Sequence, residues 1–131
     1  LKCDEEHIDT LSTAEIQEFL FEAQMMSRLD HPNIVKFYGF TLGPVQIVLE
    51  FLSGGDLFQF LHPANPLGGF TNLVSEKFPW SQRLIIAFSV AKGLHYLQTL
   101  TPPVVHRDLR SPNIFLTSSC HAVIGDFGLA R

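Results

Sequence analysis

Residues 104–116 read VVHRDLRSPNIFL, and residues 125–128 read GDFG. Asp108 and Asn113 lie five residues apart in a predicted loop, and Asp126 follows Asn113 by 13 residues. A single aspartate in a loop usually forms a turn or caps a helix. The combination of HRDLxxxN, a strand-like run and then DFG is far more specific than any of its parts.

Two short apolar runs separate Asn113 from Asp126 and predict an antiparallel hairpin, with strands at 114–116 and 122–124. Such a hairpin would return Asp126 to the side of Asn113. An amide oxygen and a carboxylate that converge in this way suit Mg²⁺, which prefers oxygen ligands and takes few from protein when phosphates supply the others. A further carboxylate nearby, that of Asp108, could accept a hydroxyl proton or orient the nucleophile.

The composition excludes several other classes of protein. The chain has 131 residues, of which 46% are hydrophobic and 17% charged, so it is globular rather than disordered. A net charge of -4 without a basic stripe argues against nucleic-acid binding. No apolar run approaches the roughly 18 residues of a membrane helix. Cys3 and Cys120 form no CxxC pair, and we expect two reduced thiols in a cytoplasmic protein.

Local signals predict the order of helices and strands. Residues 12–15 read STAE, a capping box, and helical periodicity continues to residue 29. The remaining predicted elements are strands at 34–42 and 45–52 around a Gly43-Pro44 turn, a helix at 56–61 capped by Asp56, a mobile loop at 62–79, a helix at 80–100 and a loop at 104–113. The 80–100 helix carries an apolar stripe of Leu84, Ala87, Phe88, Ala91, Leu94 and Leu97.

The chain resembles a eukaryotic protein kinase domain over nearly its whole length. Within that family it is most similar to the tyrosine-kinase-like group and its Roco kinases, through MSRLDHPNIV at 26–35 and PPVVHRDLRSPN at 102–113. The resemblance implies an α+β, bilobal kinase-like fold that is incomplete. Residues 1–49 would belong to the small lobe, 50–55 to the hinge and 56–131 to the large lobe as far as the DFG motif.

The resemblance also implies an activity. The protein would transfer the γ-phosphoryl group of ATP to a protein hydroxyl, most often that of serine or threonine, with ATP and Mg²⁺ as cofactors. Asp108 would be the catalytic base, and Asn113 and Asp126 would hold the magnesium ions. Arg110 stands where Ser/Thr kinases usually carry lysine and would help to neutralise the transferring phosphate, although its planar guanidinium makes the contact less direct.

The nucleotide would lie against the segment that joins the lobes. By resemblance, Leu49 is the gatekeeper, and backbone groups of Glu50 and Leu52 hydrogen-bond adenine. Asp56 could reach the ribose. Phe115 would pack beneath the ring, and it is at the same time a candidate core residue.

Glu22 is a carboxylate within an apolar helical stripe, where burial is unfavourable unless the charge is paired. It either reaches water at the edge of the stripe or pairs with a cation, and the resemblance favours the lysine that grips the ATP phosphates. That lysine is either Lys2 or a residue upstream of this sequence. The resemblance further predicts that His106 is a packing residue rather than a base, in an apolar column with Met26, Phe37 and Phe127.

The resemblance leaves two features of a kinase domain outside these 131 residues, the glycine-rich loop and the activation loop. We therefore expect the isolated polypeptide to be poorly folded and inactive, with apolar faces of the 80–100 helix exposed. The parent chain could carry a Ras-like domain. The alternative function is a nucleotide-binding pseudokinase that acts as a scaffold.

Overall fold

The computed structural model describes residues 12–62, 78–128 and 130. Lys2, Cys3 and most of the predicted loop at 62–79 lie outside the described residues. The chain forms two compact units. The first unit comprises residues up to 30 together with 36–50, and the second comprises 31–35 together with the residues from 51 onwards.

The first unit begins with helix α1, Thr13–Met26, which starts at the predicted capping box. The Ser12 hydroxyl accepts the Glu15 N–H at 3.3 Å, and the Glu15 carboxylate accepts the Ser12 N–H at 2.7 Å. The Ser12 hydroxyl also donates to the Glu15 carboxylate at 2.7 Å, and the two bonds that this carboxylate accepts, from the Ser12 hydroxyl and from the Ser12 N–H, hold the pKa of Glu15 below its ordinary value. The helix ends three residues before the predicted limit, because the N–H groups of Arg28 and Leu29 bond three residues back and tighten the chain.

The first unit continues with an antiparallel hairpin of β1, Phe37–Leu42, and β2, Val45–Leu49. Gly43-Pro44 forms the turn, as predicted, and the ring of Phe40 meets Phe19 of α1 edge-on at 5.7 Å. Both strands are shorter than predicted, because β1 starts at Phe37 instead of residue 34 and β2 ends at Leu49 instead of residue 52. The predicted start at residue 34 is wrong because residues 34 and 35 bond to a strand of the second unit instead.

The second unit is built around a second hairpin, of β3, Ile114–Leu116, and β4, Ala122–Ile124, which confirms both predicted strands. Its other elements are the short helix α2, Leu57–Leu61, capped by Asp56 as predicted, the long helix α3, Trp80–Thr99, and a 3₁₀ turn, Ser111–Asn113, inside the predicted loop. The 3₁₀ turn was not predicted, because its sequence, SPN, is equally typical of an irregular loop.

Extended segments cover both edges of the β3–β4 hairpin. On the β4 side, Val35 N–H donates to Ile124 O at 2.8 Å, and Ile124 N–H donates to Asn33 O at 2.9 Å. On the β3 side, the Leu116 backbone bonds to Gly54 and Gly55 at 3.0 and 2.9 Å. A Cβ on Gly54 would lie 2.5 Å from the Leu116 carbonyl oxygen, so this close approach requires glycine. The hairpin therefore has no open edge.

Helix α3 packs on β4 through a side that hydropathy does not mark. Ile86, Ser89, Gly93 and Leu97 are its buried residues, and a Cβ on Gly93 would lie 2.9 Å from the Asn33 carbonyl oxygen. In the predicted stripe, Leu84 and Phe88 are 53% and 65% exposed. The expected exposure of apolar faces on this helix is confirmed. Of the predicted stripe, Leu97 lies on the packed side, whereas the burial of Ile86, Ser89 and Gly93 was not predicted. Small residues set this side because they let the backbones approach.

The described part of the chain contains no helix that is both long and apolar enough to cross a membrane.

Candidate active site

The β3–β4 hairpin returns the chain to the loop that precedes it. Gly125 N–H donates to Asn113 O at 2.9 Å, so the residue just before Asp126 is bonded to the backbone of Asn113. A Cβ on Gly125 would lie 2.7 Å from the ring of Phe115, which explains why glycine stands there. The hairpin predicted from two apolar runs is therefore present and joins the two halves of the motif set.

Asn113 fixes the loop around Asp108. Its side chain is buried, and Nδ2 donates to the carbonyl oxygen of Asp108 at 3.0 Å and to the Oδ2 atom of Asp108 at 2.8 Å. Both hydrogen bonds use the amide nitrogen, which leaves Oδ1 of Asn113 as an oxygen donor for a cation.

One oxygen of the Asp108 carboxylate is held and the other is available. Oδ2 accepts from Asn113 and lies 3.4 Å from Nε of Arg110, whereas Oδ1 makes no hydrogen bond to the described residues. The side chain of Asp108 is one-third exposed and that of Arg110 nearly two-thirds, so the ion pair is screened by solvent and contributes little stability. Its effect is on geometry: Oδ1 of Asp108 is the atom that can accept a proton.

His106 connects the loop and the DFG segment through both ring nitrogens. Nδ1 accepts the Asp108 N–H at 3.3 Å, so the proton resides on Nε2, which donates to Gly125 O at 2.9 Å. The ring is 3% exposed and lies 4.8 Å from that of Phe127. The packing role predicted for His106 fits this position. Sequence reasoning missed the hydrogen bonds, because no local pattern shows which backbone groups a buried histidine will meet.

Asp126 has a backbone conformation that few residues adopt. Its φ is 57°, in the left-handed region, which aspartate tolerates better than most non-glycine residues. Asp126 is exposed, whereas the next side chain, that of Phe127, is 1% exposed. The left-handed turn therefore lets the phenyl ring enter the core while the carboxylate stays on the surface.

The donor set suits magnesium. Among the described residues there is no cluster of three or more His, Cys, Asp or Glu side chains that could hold a metal. A metal would thus rely on the Asn113 oxygen, the Asp126 carboxylate and oxygens from its ligand or water. Mg²⁺ is bound in this way beside phosphates, with hard oxygen donors and few protein ligands.

The family model described as "Protein tyrosine and serine/threonine kinase" matches residues 6–131. The chain belongs to the protein kinase family. Because that match covers almost the whole chain, the α+β, incomplete kinase-like fold that the resemblance implied is confirmed.

Several curated kinases are similar to this kinase chain. They include probable serine/threonine-protein kinase roco6 of Dictyostelium discoideum, 42% identical over 86% of the chain, and serine/threonine-protein kinase CTR1 of Arabidopsis thaliana, 42% identical over 88%. Serine/threonine-protein kinase TNNI3K of Homo sapiens is 39% identical over 92%. The predicted similarity to Roco-type and tyrosine-kinase-like kinases is confirmed. The chain spans only 5%, 13% and 14% of the lengths of these relatives.

The kinase residues predicted to meet the nucleotide fall in both units. Glu22, half-buried on α1, lies in the first unit with Leu49 and Glu50. Leu52, Asp56 and Phe115 lie in the second unit, where the backbones of Asp56 and Phe115 form an antiparallel bridge. Oδ1 of Asp56 accepts the Gln59 N–H at 2.8 Å as the cap of α2, and the cap does not use Oδ2.

Of the predicted apolar column, the structure brings His106 and Phe127 into contact. Met26 is buried and Phe37 half-buried in the first unit. Lys2, the candidate partner of Glu22, lies outside the described residues.

Proposed function

We propose that this chain carries the catalytic centre of an ATP-dependent protein kinase that phosphorylates serine or threonine. The observation that carries the proposal is the hydrogen-bonded unit of Asp108 and Asn113, onto which the hairpin folds the residue before Asp126. On this proposal Oδ1 of Asp108 would be the proton acceptor, and Oδ1 of Asn113 and the Asp126 carboxylate would be the oxygen donors for a cation. The names of the relatives favour a serine or threonine hydroxyl as the acceptor.

The chemistry follows from these positions. Oδ1 of Asp108 accepts a hydrogen bond from the substrate hydroxyl and so orients its oxygen toward the γ-phosphorus. The new O–P bond forms as the bond from that phosphorus to the β–γ bridging oxygen breaks. ADP leaves with the electron pair, and the hydroxyl proton passes to Asp108.

The remaining groups reduce the negative charge that the reaction must accommodate. Asn113 and Asp126 would hold magnesium, which supplies positive charge to the phosphates when bound. Arg110, 3.4 Å from Asp108, brings a guanidinium to the same region. Glu22 would pair with the lysine that contacts the phosphates.

The backbone hydrogen bonds that the 49–52 segment already makes determine which of its groups would be left to bind adenine. Glu50 N–H is taken by Lys36 O at 2.9 Å, so the Glu50 carbonyl is the group left to accept from the 6-amino nitrogen. Leu52 O accepts the Gly55 N–H at 3.3 Å, so the Leu52 N–H is the group left to donate to a ring nitrogen. Leu49 would act as gatekeeper, Asp56 would reach the ribose and Phe115 would lie beneath the ring.

Replacing the base tests the proposal. In the complete protein, Asp108→Asn replaces the proton-accepting carboxylate with an amide of nearly the same shape. We therefore expect kcat for peptide phosphorylation to fall about 10²- to 10⁴-fold. Nucleotide affinity, measured by calorimetry with Mg²⁺ and ATP, should change little. A variant that phosphorylates peptide as fast as the parent would show that this centre does not transfer phosphate.

A nucleotide-binding pseudokinase is not favoured, since Asp108, Asn113 and Asp126 are all present and the relatives are named as kinases. The same assay separates the two functions, because a pseudokinase would bind ATP without phosphorylating peptide in any variant.

We propose the division into a small-lobe part at 1–49, a hinge at 50–55 and a large-lobe part from 56, a cytoplasmic location and a Ras-like domain in the complete protein. Limited proteolysis, cell fractionation and GTP binding test these in turn.

A further inference from the structure

The side chain of Glu50 takes a hydrogen bond that a regular sheet would give to the backbone of Glu50. The register of β1 and β2 pairs Phe37 with Leu49, which sets Lys36 opposite Glu50 one position further along. In a hydrogen-bonded antiparallel pair, each residue donates its N–H to the carbonyl of the other. Glu50 N–H does so, to Lys36 O at 2.9 Å, but Lys36 N–H donates to Oε1 of Glu50 at 2.7 Å.

This exchange releases the Glu50 carbonyl. A carboxylate is a stronger acceptor than a neutral carbonyl, so the side chain holds the Lys36 N–H against competition from the backbone. Strand β2 accordingly ends at Leu49, one residue before Glu50. The result is a backbone acceptor at the end of the hairpin that the sheet does not use.

We infer that the Glu50 carboxylate is a positioning residue for adenine recognition. By occupying the Lys36 N–H, it keeps the Glu50 carbonyl available for the 6-amino group of the nucleotide. The inference rests on the proposed function, which needs that carbonyl, and it adds a role for the side chain. Without the carboxylate, the Lys36 N–H would pair with the carbonyl of residue 50 and lengthen the hairpin by one bonded pair.

Two nucleotides distinguish this role from a general structural one. Purine riboside triphosphate matches ATP except that it lacks the 6-amino group, so it gains nothing from the Glu50 carbonyl. In the complete protein, Glu50→Ala should lower kcat/KM for ATP about fivefold, roughly the worth of one hydrogen bond, through a higher KM. The value for purine riboside triphosphate should not change. Glu50→Gln keeps a side-chain oxygen and should restore the preference for ATP.

A matched control removes a carboxylate elsewhere. Glu18 is exposed on α1, and Glu18→Ala should leave kcat/KM for both nucleotides equal to the parent values. Equal losses for both nucleotides in Glu50→Ala would overturn the inference, because the side chain would then serve folding alone. An unchanged preference for ATP in Glu50→Ala would overturn it as well.

The outcome for Asp108→Asn is independent of these results. If that variant loses phosphoryl transfer while Glu50→Ala keeps the parent's preference for ATP over purine riboside triphosphate, the proposed function stands and only the role of the Glu50 side chain fails. If Asp108→Asn stays active, the proposed function itself fails.

Discussion

The two hairpins in the described part of the chain have the same topology and opposite environments. In the β1–β2 hairpin, no strand residue is fully buried, and Tyr38 and Leu42 are 63% and 57% exposed. In the β3–β4 hairpin, every strand residue except Phe115 is buried, and extended segments cover both edges. The proposed base and metal ligands flank the buried hairpin, whereas the proposed adenine acceptor stands at the end of the exposed one.

The contrast shows how burial divides the work of a site. Groups that handle a proton and a cation need positions fixed to a fraction of an ångström, which a close-packed hairpin provides. A group that meets a ligand through its backbone needs an unused acceptor, and a hairpin end provides one. Substitutions that destabilise the buried hairpin should therefore have different consequences from those that alter the exposed one.

The largest expected effect is the difference between two leucine-to-alanine variants, one in each hairpin. Leu116 on β3 is 1% exposed, so Leu116→Ala should lower the free energy of local unfolding by about 2–5 kcal/mol through lost burial and a cavity. Leu42→Ala on β1, at 57% exposed, should lower it by less than about 0.5 kcal/mol. Native-state hydrogen exchange of the amides in each hairpin of the complete protein measures both values. Similar losses at the two sites would contradict the contrast.

A smaller effect should follow from separating the buried hairpin from its loop. His106→Asn removes the bridge between Asp108 N–H and Gly125 O but leaves the Asp108 carboxylate in place. We expect kcat for peptide phosphorylation to fall about tenfold, well below the loss from Asp108→Asn, since positioning is weakened and the base is retained.

The control for that variant is the pH profile. In the proposed mechanism Asp108 accepts the proton and His106 does not, so the shape of the kcat profile should match the parent in His106→Asn. Disappearance of one limb of the profile would show instead that the imidazole exchanges protons during the reaction.

The smallest effect should appear at the start of α1, in the first unit. Folding lowers the pKa of Glu15 below 4.5, so the capping box stabilises the helix above that value and loses this contribution as the pH falls through the lowered pKa. Ser12→Ala removes the hydroxyl partner and should return the pKa toward 4.5.

Hydrogen exchange of the Ile16 amide, which bonds to Ser12 O, reports on this turn. Protection should be weaker in Ser12→Ala than in the parent at pH 6, and the difference should narrow toward pH 4. A difference that stays constant with pH would mean that Glu15 takes no part in the cap.

Local signals predicted those parts of the fold that depend on neighbouring residues. The capping box at Ser12, the cap at Asp56 and the Gly43-Pro44 turn are each satisfied within a few residues, so their side chains determine the backbone. The strands at 114–116 and 122–124 were also correct, because a short connection allows two apolar runs to pair. The motifs around Asp108 and Asp126 identified the family because each is a short run of neighbouring residues that can be read directly from the sequence.

Long-range pairing could not be predicted in this way. Ile34 and Val35 have the composition of a strand continuous with β1, yet they bond to β4, about 90 residues along the chain. The packing side of α3 depends on Ser89 and Gly93, which carry no hydrophobic signal. For the site, the residue types came from the motifs, whereas the choice of Oδ1 on Asp108 and the role of the Glu50 carboxylate required coordinates.

The left-handed backbone at Asp126 would link binding of the proposed cation to conformation. A residue held in this region carries about 1–3 kcal/mol of strain, less for aspartate than for branched side chains. A cation bound through the Asp126 carboxylate in this conformation stabilises it, and by thermodynamic reciprocity any contact that holds the backbone there tightens the cation. The burial of Phe127, the next residue, is such a contact. Core packing around one phenyl ring would thus set how firmly the proposed magnesium site holds its cation.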